Sequence, residues 1–400
     1  MVFQRERLGK LLSKVGSGVT PKGGSDSYVS EGVPLIRSQN VLWGKLSTEG
    51  IAFIDAQQHA KMSGSFVLPN DVLLNITGAS IGRACVVPSC LGEANVNQHV
   101  CILRVGDKLD SEYLSNFLIS QQGQREIALF QAGGNREGLN YEQVRSFEIP
   151  LPPLAEQRKI AEILRTWDEA IETAEAELTA KQDLLKRAVA KYFEKSYRDA
   201  ASGKAGKLKT LDAVCTRKGE YGAAVSACPY NPEWPRYIRI TDITETGILK
   251  KERAVSISPE SAEGYNLKMG DLLFARTGEP GRCLIFNEEY PAAFAGYLIR
   301  FKARPEVILP EYVYFYTLSS VYDKWVGDVS QKGAQANINA KVYGSLQLPV
   351  TDLNSQEAAV RVFKALQESV LLAEQGAELL RTQKRGLMQK LLTGEVRVAA

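Results

Sequence analysis

Residues Pro152 to Phe193 read PPLAEQRKIAEILRTWDEAIETAEAELTAKQDLLKRAVAKYF. Ile160, Leu164, Trp167, Ile171, Ala174, Leu178, Lys181, Leu185, Ala188 and Tyr192 recur with alternating steps of four and three, the seam of a coiled coil. The same register returns 199 residues later at Ala359, Phe363, Leu366, Val370, Ala373, Ala377, Leu380, Lys384, Leu387 and Leu391. Each seam has one polar member, a lysine, Lys181 in the first and Lys384 one seam position further along in the second. Two such stripes in one chain bury each other most economically. The alternative, two amphipathic helices packed on separate domains, does not explain the shared register.

Around these helices the chain repeats itself. Residues 1–151 form the first mixed domain, with short apolar runs such as Val72-Leu73-Leu74 and Val100-Cys101-Ile102-Leu103 as strands and one helix from Ser111 to about Phe130. A helical spacer over 152–197 follows, started by proline, then a linker over 198–207 rich in Gly, Ala and Ser. Residues 208–351 repeat the domain, 352–394 the helix, and 395–400 are a tail. Asp71-Val-Leu-Leu-Asn-Ile-Thr77-Gly78 is answered by Asp271-Leu-Leu-Phe-Ala-Arg-Thr277-Gly278, Glu112-Tyr113 by Glu311-Tyr312, and Pro150 by Pro349. Asn354 with Glu357 offers a cap for the second helix, and Gly394 a stop.

The expected fold is therefore α+β: two mixed domains joined by two long antiparallel helices, with a pseudo-twofold internal repeat. At ~1.5 Å per residue, a spacer of roughly 40 residues holds the domains about 60 Å apart. That arrangement suits a duplex with two half-sites.

Composition excludes several functions. No apolar run approaches the ~18 residues of a membrane span, and the start lacks the apolar region of a signal peptide, so a cytoplasmic location is expected. The six cysteines form no Cys-x-x-Cys pair and there are only two histidines, so a zinc site has little to draw on. The net charge of +3 is too small to announce nucleic acid by itself. No phosphate loop, dinucleotide or S-adenosylmethionine glycine fingerprint is present, and Asn231-Pro232-Glu233-Trp234 reads as a turn. Gly78-Ala79-Ser80-Ile81-Gly82 has the Gly-x-Ser-x-Gly spacing, but with only two histidines in the chain a hydrolytic triad is not expected. The chain is expected not to be an enzyme.

Polar loops remain, in pairs. Thr20 and Lys22 lie in a Ser-Gly-Thr-Lys stretch; Arg37, Ser38 and Asn40 follow a strand end, with Arg239 and Thr241 as partners. Arg and Lys can read guanine, and Asn and Gln adenine, at base edges. Thr77, Ser80 and Arg83 can position a phosphate, with Arg276, Thr277 and Arg282 opposite. Asn97 and Gln98 precede a strand; Arg136 pairs with the Gln335 to Asn337 loop. Each has a plainer reading. The Thr-Gly loops can be tight turns, Asn97 and Gln98 can satisfy buried backbone, and Asn140 and Asn339 can close turns.

The whole arrangement resembles the DNA-specificity subunit of type I restriction–modification systems. The likeness rests on Pro150-Leu-Pro-Pro-Leu-Ala-Glu156-Gln157-Arg-Lys-Ile160, on Thr77-Gly-Ala-Ser-Ile-Gly-Arg83, on Asn97-Gln98, and on Gly386-Leu-Met-Gln-Lys-Leu-Leu-Thr-Gly394. The resemblance implies two target recognition domains, each reading half of a bipartite double-stranded DNA sequence, with the coiled coil as ruler. It implies two modification (methyltransferase) subunits and, in the full complex, two restriction (motor and nuclease) subunits. S-adenosylmethionine, ATP and Mg would be on those partners, none on this chain. The second module departs from the pattern: Thr277-Gly-Glu-Pro-Gly-Arg282 is one residue shorter, and Ala295-Gly296-Tyr297 stands where Asn97-Gln98-His99 would fall. The rival readings are a self-contained methyltransferase and an interaction scaffold carrying two protein-binding modules.

Overall fold

A computed structural model describes residues 3–21, 23–131, 138–250, 252–330 and 337–399. The chain divides into two units, Met1–Glu175 with Gln375–Ala400, and Ala176–Glu374. The cut passes through both long helices rather than at their ends, unlike the expected division into domain, spacer, linker and tail. The reason is packing. Each mixed domain carries half of each helix in its own core.

In the first unit a four-stranded antiparallel sheet runs in the order Leu12–Ser17, Val100–Val105, Val72–Asn75, Ala84–Val86. The strand Val72–Asn75 is buried at every residue because both faces are covered. Val72 and Leu74 point into a core with Tyr113, Phe117, Phe147, Ile160, Leu164, Leu391 and Leu392. Leu73 points the other way, into a core with Ile36, Val67, Val96 and Ile102. A second sheet has the order Ala52–Ile54, Val33–Ile36, Ala94–Val96, Phe66–Val67, with its middle pair parallel. Arg5–Arg7 pairs with Glu148–Pro150 and brings the chain to the start of the first long helix.

The second unit repeats this plan: Glu220–Tyr221, Leu298–Phe301, Leu272–Ala275, Cys283–Ile285 in one sheet, and Arg236–Ile238 parallel to Ala292–Phe294. Leu272 and Phe274 face the helical core with Phe193, Tyr312 and Phe363, while Leu273 and Ala275 face the other way. Lys207–Thr210 pairs with Gln347–Val350.

The long helices are Leu154–Ala201 and Leu353–Thr393. The seam is the one the heptads mark. Ile160, Leu164, Phe363 and Leu391 are buried, and Trp167, Ile171, Leu178, Leu185, Leu366, Val370, Leu380 and Leu387 are half-buried. In the first unit Lys384 is ion-paired with Asp168, Arg381 with Glu175 at 2.6 Å, and Arg397 with Glu156 at 2.7 Å. Partner numbers fall on one helix as they rise on the other, so the pairing is antiparallel. In the second unit Tyr192 and Phe193 pack on Phe363 in the same sense.

Several local expectations are corrected. The first long helix runs on to Ala201, so the linker is shorter than 198–207. The helix expected from Ser111 to Phe130 is two, Ser111–Ile119 and Gln121–Gln131, broken where the hydroxyl of Ser120 accepts the Gly123 N–H and bonds back to Phe117. Asp352, not Asn354, caps the second long helix, its carboxylate accepting the Ser355 N–H at 2.9 Å and the Ser355 hydroxyl at 2.7 Å. The C-terminal tail is held down by Arg397 on Glu156. Gly394 does end the helix, at φ +76°.

Candidate nucleic-acid interface

The loops singled out from sequence separate into residues occupied within the fold and residues that face out. In the first unit, Arg37–Asn40 is one tight turn. Asn40 is fully buried; its Oδ1 accepts the Arg37 N–H at 3.1 Å and its amide donates to Ser47 O at 3.1 Å and Glu49 O at 3.3 Å. It holds the turn and has no edge left for a base, which corrects its assignment as a reader. Arg37 stacks over Tyr28 at 5.5 Å and donates to Gly50 O at 2.8 Å, and the Ser38 carbonyl accepts from Asn75. Gln39, between them, is exposed.

Asn97 is 7% exposed; its Oδ1 accepts the His99 N–H at 3.1 Å, so the plainer reading of a buried-backbone partner is the one the structure bears out. Gln98 is different. It is exposed and joins a line of polar groups: the Thr20 hydroxyl donates to Gln98 Oε1, the Gln98 amide meets His99 Nε2 at 3.0 Å, and His99 Nδ1 meets the Thr77 hydroxyl. With the amide donating to Nε2, the ring proton sits on Nδ1 and is donated to Thr77. His99 was missed from sequence as a site residue. Its signal was adjacency to Asn97-Gln98. Ser80 and Arg83 are half-buried, and Arg83 has no ion pair among the described residues. Gly78, at φ +72°, makes the tight turn that presents them.

The start of this surface is fixed by Gly18, where a Cβ would fall 1.6 Å from Val96 O. That glycine serves close backbone approach, not flexibility. Next to it Ser17 bonds to the Tyr141 hydroxyl through its N–H at 2.9 Å.

In the second unit the corresponding turn, Arg239–Asp242, is closed by a fork from Arg239 to the buried Asp242, at 3.1 and 2.9 Å. Arg239 is thereby occupied, and Thr241 is the exposed member. Arg282 is likewise taken up, donating to Ile243 O at 2.7 Å and pairing with Glu279, so it is not a free phosphate clamp. Thr277 is half-buried beside Gly278 at φ +76°. Arg276 lies over the Tyr221 ring at 5.2 Å and donates from Nε to Asn337 Oδ1 at 3.2 Å. Asn337, Tyr221 and Tyr297 are exposed around it. Lys22, Arg136 and Gln335 lie outside the described residues. Asn140 and Asn339 cap short helices, accepting N–H groups at 2.8 and 3.0 Å, which is the turn-closing role.

Nothing here resembles an activated nucleophile. Burial pushes the thiols of Cys85, Cys101 and Cys215 up to about 12, and Cys283 higher still. Among the described residues no group of three or more His, Cys, Asp or Glu side chains is placed to hold a metal. Among them, too, no helix is long and apolar enough to cross a membrane.

The family described as type I restriction modification DNA specificity domain matches residues 10–180. The type I restriction enzyme EcoBI specificity subunit of Escherichia coli is 24% identical over 88% of this chain and 76% of its own length. The MjaX specificity subunit of Methanocaldococcus jannaschii is 21% identical over 99% of this chain and 94% of its own. Among solved structures, a chain from a study of complex assembly and conformational transition of the type I R-M system has a TM-score of 0.62 at 16% identity, covering 99% of this chain and 98% of that one. The type I S subunit from M. genitalium has a TM-score of 0.59 at 14% identity, covering 98% and 96%. At these identities the structural likeness is one of fold.

Proposed function

We propose that this chain is a specificity subunit of a type I restriction–modification system, similar to those it matches, and the non-catalytic reader of a bipartite DNA sequence, one half-site to each mixed domain. The duplication carries the reading. Two copies of one domain share the order of the four-stranded antiparallel sheet and a parallel strand pair beside it, yet carry different side chains around the outward loops: Gln39, Gln98 and His99 in one, Thr241, Arg276, Tyr297 and Asn337 in the other. A shared scaffold with divergent polar tips is what two recognitions of different half-sites require.

The two long helices, continuous from one half of the chain into the other, set the gap between half-sites and dock two modification subunits. Those subunits carry S-adenosylmethionine and the pocket for an extruded adenine; two restriction subunits with ATP and Mg complete the assembly.

The test is to map N6-methyladenine in a host expressing this chain with its modification subunit, and again without this chain. A bipartite motif present only with the chain is the expected result. Chain-independent methylation, or none with an active modification subunit, overturns the reading in favour of an interaction scaffold.

A further inference from the structure

Arg276 and Ile76 occupy the same backbone position in the two recognition domains. The Ile76 N–H donates to His99 O at 3.0 Å, and its carbonyl accepts the Leu139 N–H at 2.8 Å. The Arg276 N–H donates to Tyr297 O at 2.9 Å, and its carbonyl accepts the Ile338 N–H at 3.0 Å. The side chains then diverge. Ile76 is 5% exposed and belongs to the core. Arg276 leaves the core and lies in an exposed setting of Tyr221, Tyr297 and Asn337.

Its guanidinium is held before any ligand arrives. The plane lies over Tyr221, and Nε is tied to Asn337 Oδ1. Tyr221 is itself fixed, its hydroxyl accepting the Ala340 N–H at 3.1 Å at the start of the helix Ala340–Gly344. An arginine stacked on an aromatic face and tethered through Nε keeps its two terminal nitrogens as a fork of fixed direction. That is the geometry for two parallel hydrogen bonds to O6 and N7 of one guanine in the major groove. Holding the fork in advance avoids the ordering cost of a long flexible side chain at binding.

We infer that Arg276 reads a guanine in the half-site of the second recognition domain, and that Tyr221 is the positioning residue that aims it. The inference rests on the DNA-reading function proposed above. Ile76 puts no such fork in the first domain, so the guanine requirement belongs to one half-site only.

The experiment uses the complete chain with its modification subunit and maps methylated motifs in genomic DNA for wild type, R276K, Y221F and Y221L, with a melting curve for each. Lysine keeps the charge but loses the planar fork that Tyr221 aims, so a phosphate contact would tolerate R276K, whereas a guanine contact would keep only the weaker, unaimed hydrogen bonding of an ammonium. The expected result is a wild-type motif with a G·C pair that R276K relaxes at that single position, discrimination falling roughly tenfold or more. The other half-site stays strict. Y221L relaxes the same position as R276K without a matching loss of melting temperature, and Y221F, which keeps the ring under the guanidinium but loses the bond from the Ala340 N–H, relaxes it less than Y221L. An unchanged motif in R276K, or a loss spread evenly over all positions, overturns the assignment while leaving the DNA reader intact. A wild-type chain that confers no motif overturns the DNA-reading function itself.

Discussion

Gln157 and Gln356 make the same three hydrogen bonds at equivalent places in the two halves of the chain. Gln157 Oε1 accepts the Asp110 N–H at 2.9 Å, and its amide donates to Lys108 O at 3.0 Å and Pro152 O at 2.9 Å. Gln356 Oε1 accepts the Leu309 N–H at 3.0 Å, and its amide donates to Val307 O at 3.1 Å and Thr351 O at 2.8 Å. Both side chains are fully buried. Each locks the first turn of a long helix to the loop that precedes the domain's own helix, so neither is a spare surface polar at a helix start.

Replacing either glutamine with alanine takes the partner from three backbone groups at once. Gln157→Ala and Gln356→Ala should each cost about 2–4 kcal/mol, read from denaturant midpoints. Gln→Glu at either place should cost at least as much, because the carboxylate supplies no donor for two carbonyls.

Glu156 is buried, and its hydrogen bonds from Arg397 hold its carboxyl below the ordinary value of 4.5. A depressed acid contributes stability that is present above its ordinary range and lost as pH falls through the lowered folded value. Melting curves taken from neutral pH downward should show wild type losing its advantage over Glu156→Gln in the acid range. An advantage constant with pH would mean that the pair does not link folding to protons.

Lys384 sits in the helix seam with a side chain 13% exposed, paired with Asp168. Asp168→Ala should lower stability by about 1 kcal/mol, because it leaves a nearly buried ammonium alone. Lys384→Leu should be neutral or stabilising, since an apolar residue fits a seam position without a desolvation cost. Thermal melts of the two variants check this opposite behaviour.

Phe193 touches Tyr312, Tyr316 and Phe363 with ring centroids 5.0, 5.3 and 5.9 Å away. Phe193→Ala opens a cavity where helix and domain share one core and should cost roughly 3–5 kcal/mol. A loss under about 1 kcal/mol in denaturant unfolding would mean that helix and domain do not share a core.

Asn40 and Gln98 should part company. Asn40→Ala should reduce stability and leave the methylated motif unchanged, since its bonds all close the turn. Gln98→Ala, at an exposed position, should leave melting unaffected and relax one base pair in the first half-site by roughly tenfold. Motif mapping beside thermal melts distinguishes the two.

How much of this could be read from the chain follows from the range of the forces involved. The seam positions, the duplication and the buried strands Val72–Asn75 and Leu272–Ala275 were legible because periodic burial writes itself into periodic sequence. The paired loops were legible too, since a duplication keeps its spacing. Which loop residue faces out was not legible. Arg37 and Arg239, or Asn97 and Gln98, are chemically alike, and their fates depend on which partners the folded backbone brings within reach, Tyr28 for one arginine and Asp242 for the other.

The sequence by itself thus determined the repeat, the antiparallel helix pair and the family resemblance, because each rests on patterns along the chain. Only the tertiary structure decided that Asn40 and Arg282 are taken up inside the fold. It also decided that Gln98 is linked to Thr77 through His99, and that Arg276 stands on Tyr221. The physical reason is that a polar side chain's availability is set by whether a hydrogen-bond partner reaches it. Some partners, such as Ile243 for Arg282 and Tyr221 for Arg276, come from tens of positions away, and even the near ones of Asn40 are set by how its turn closes, which no local pattern records.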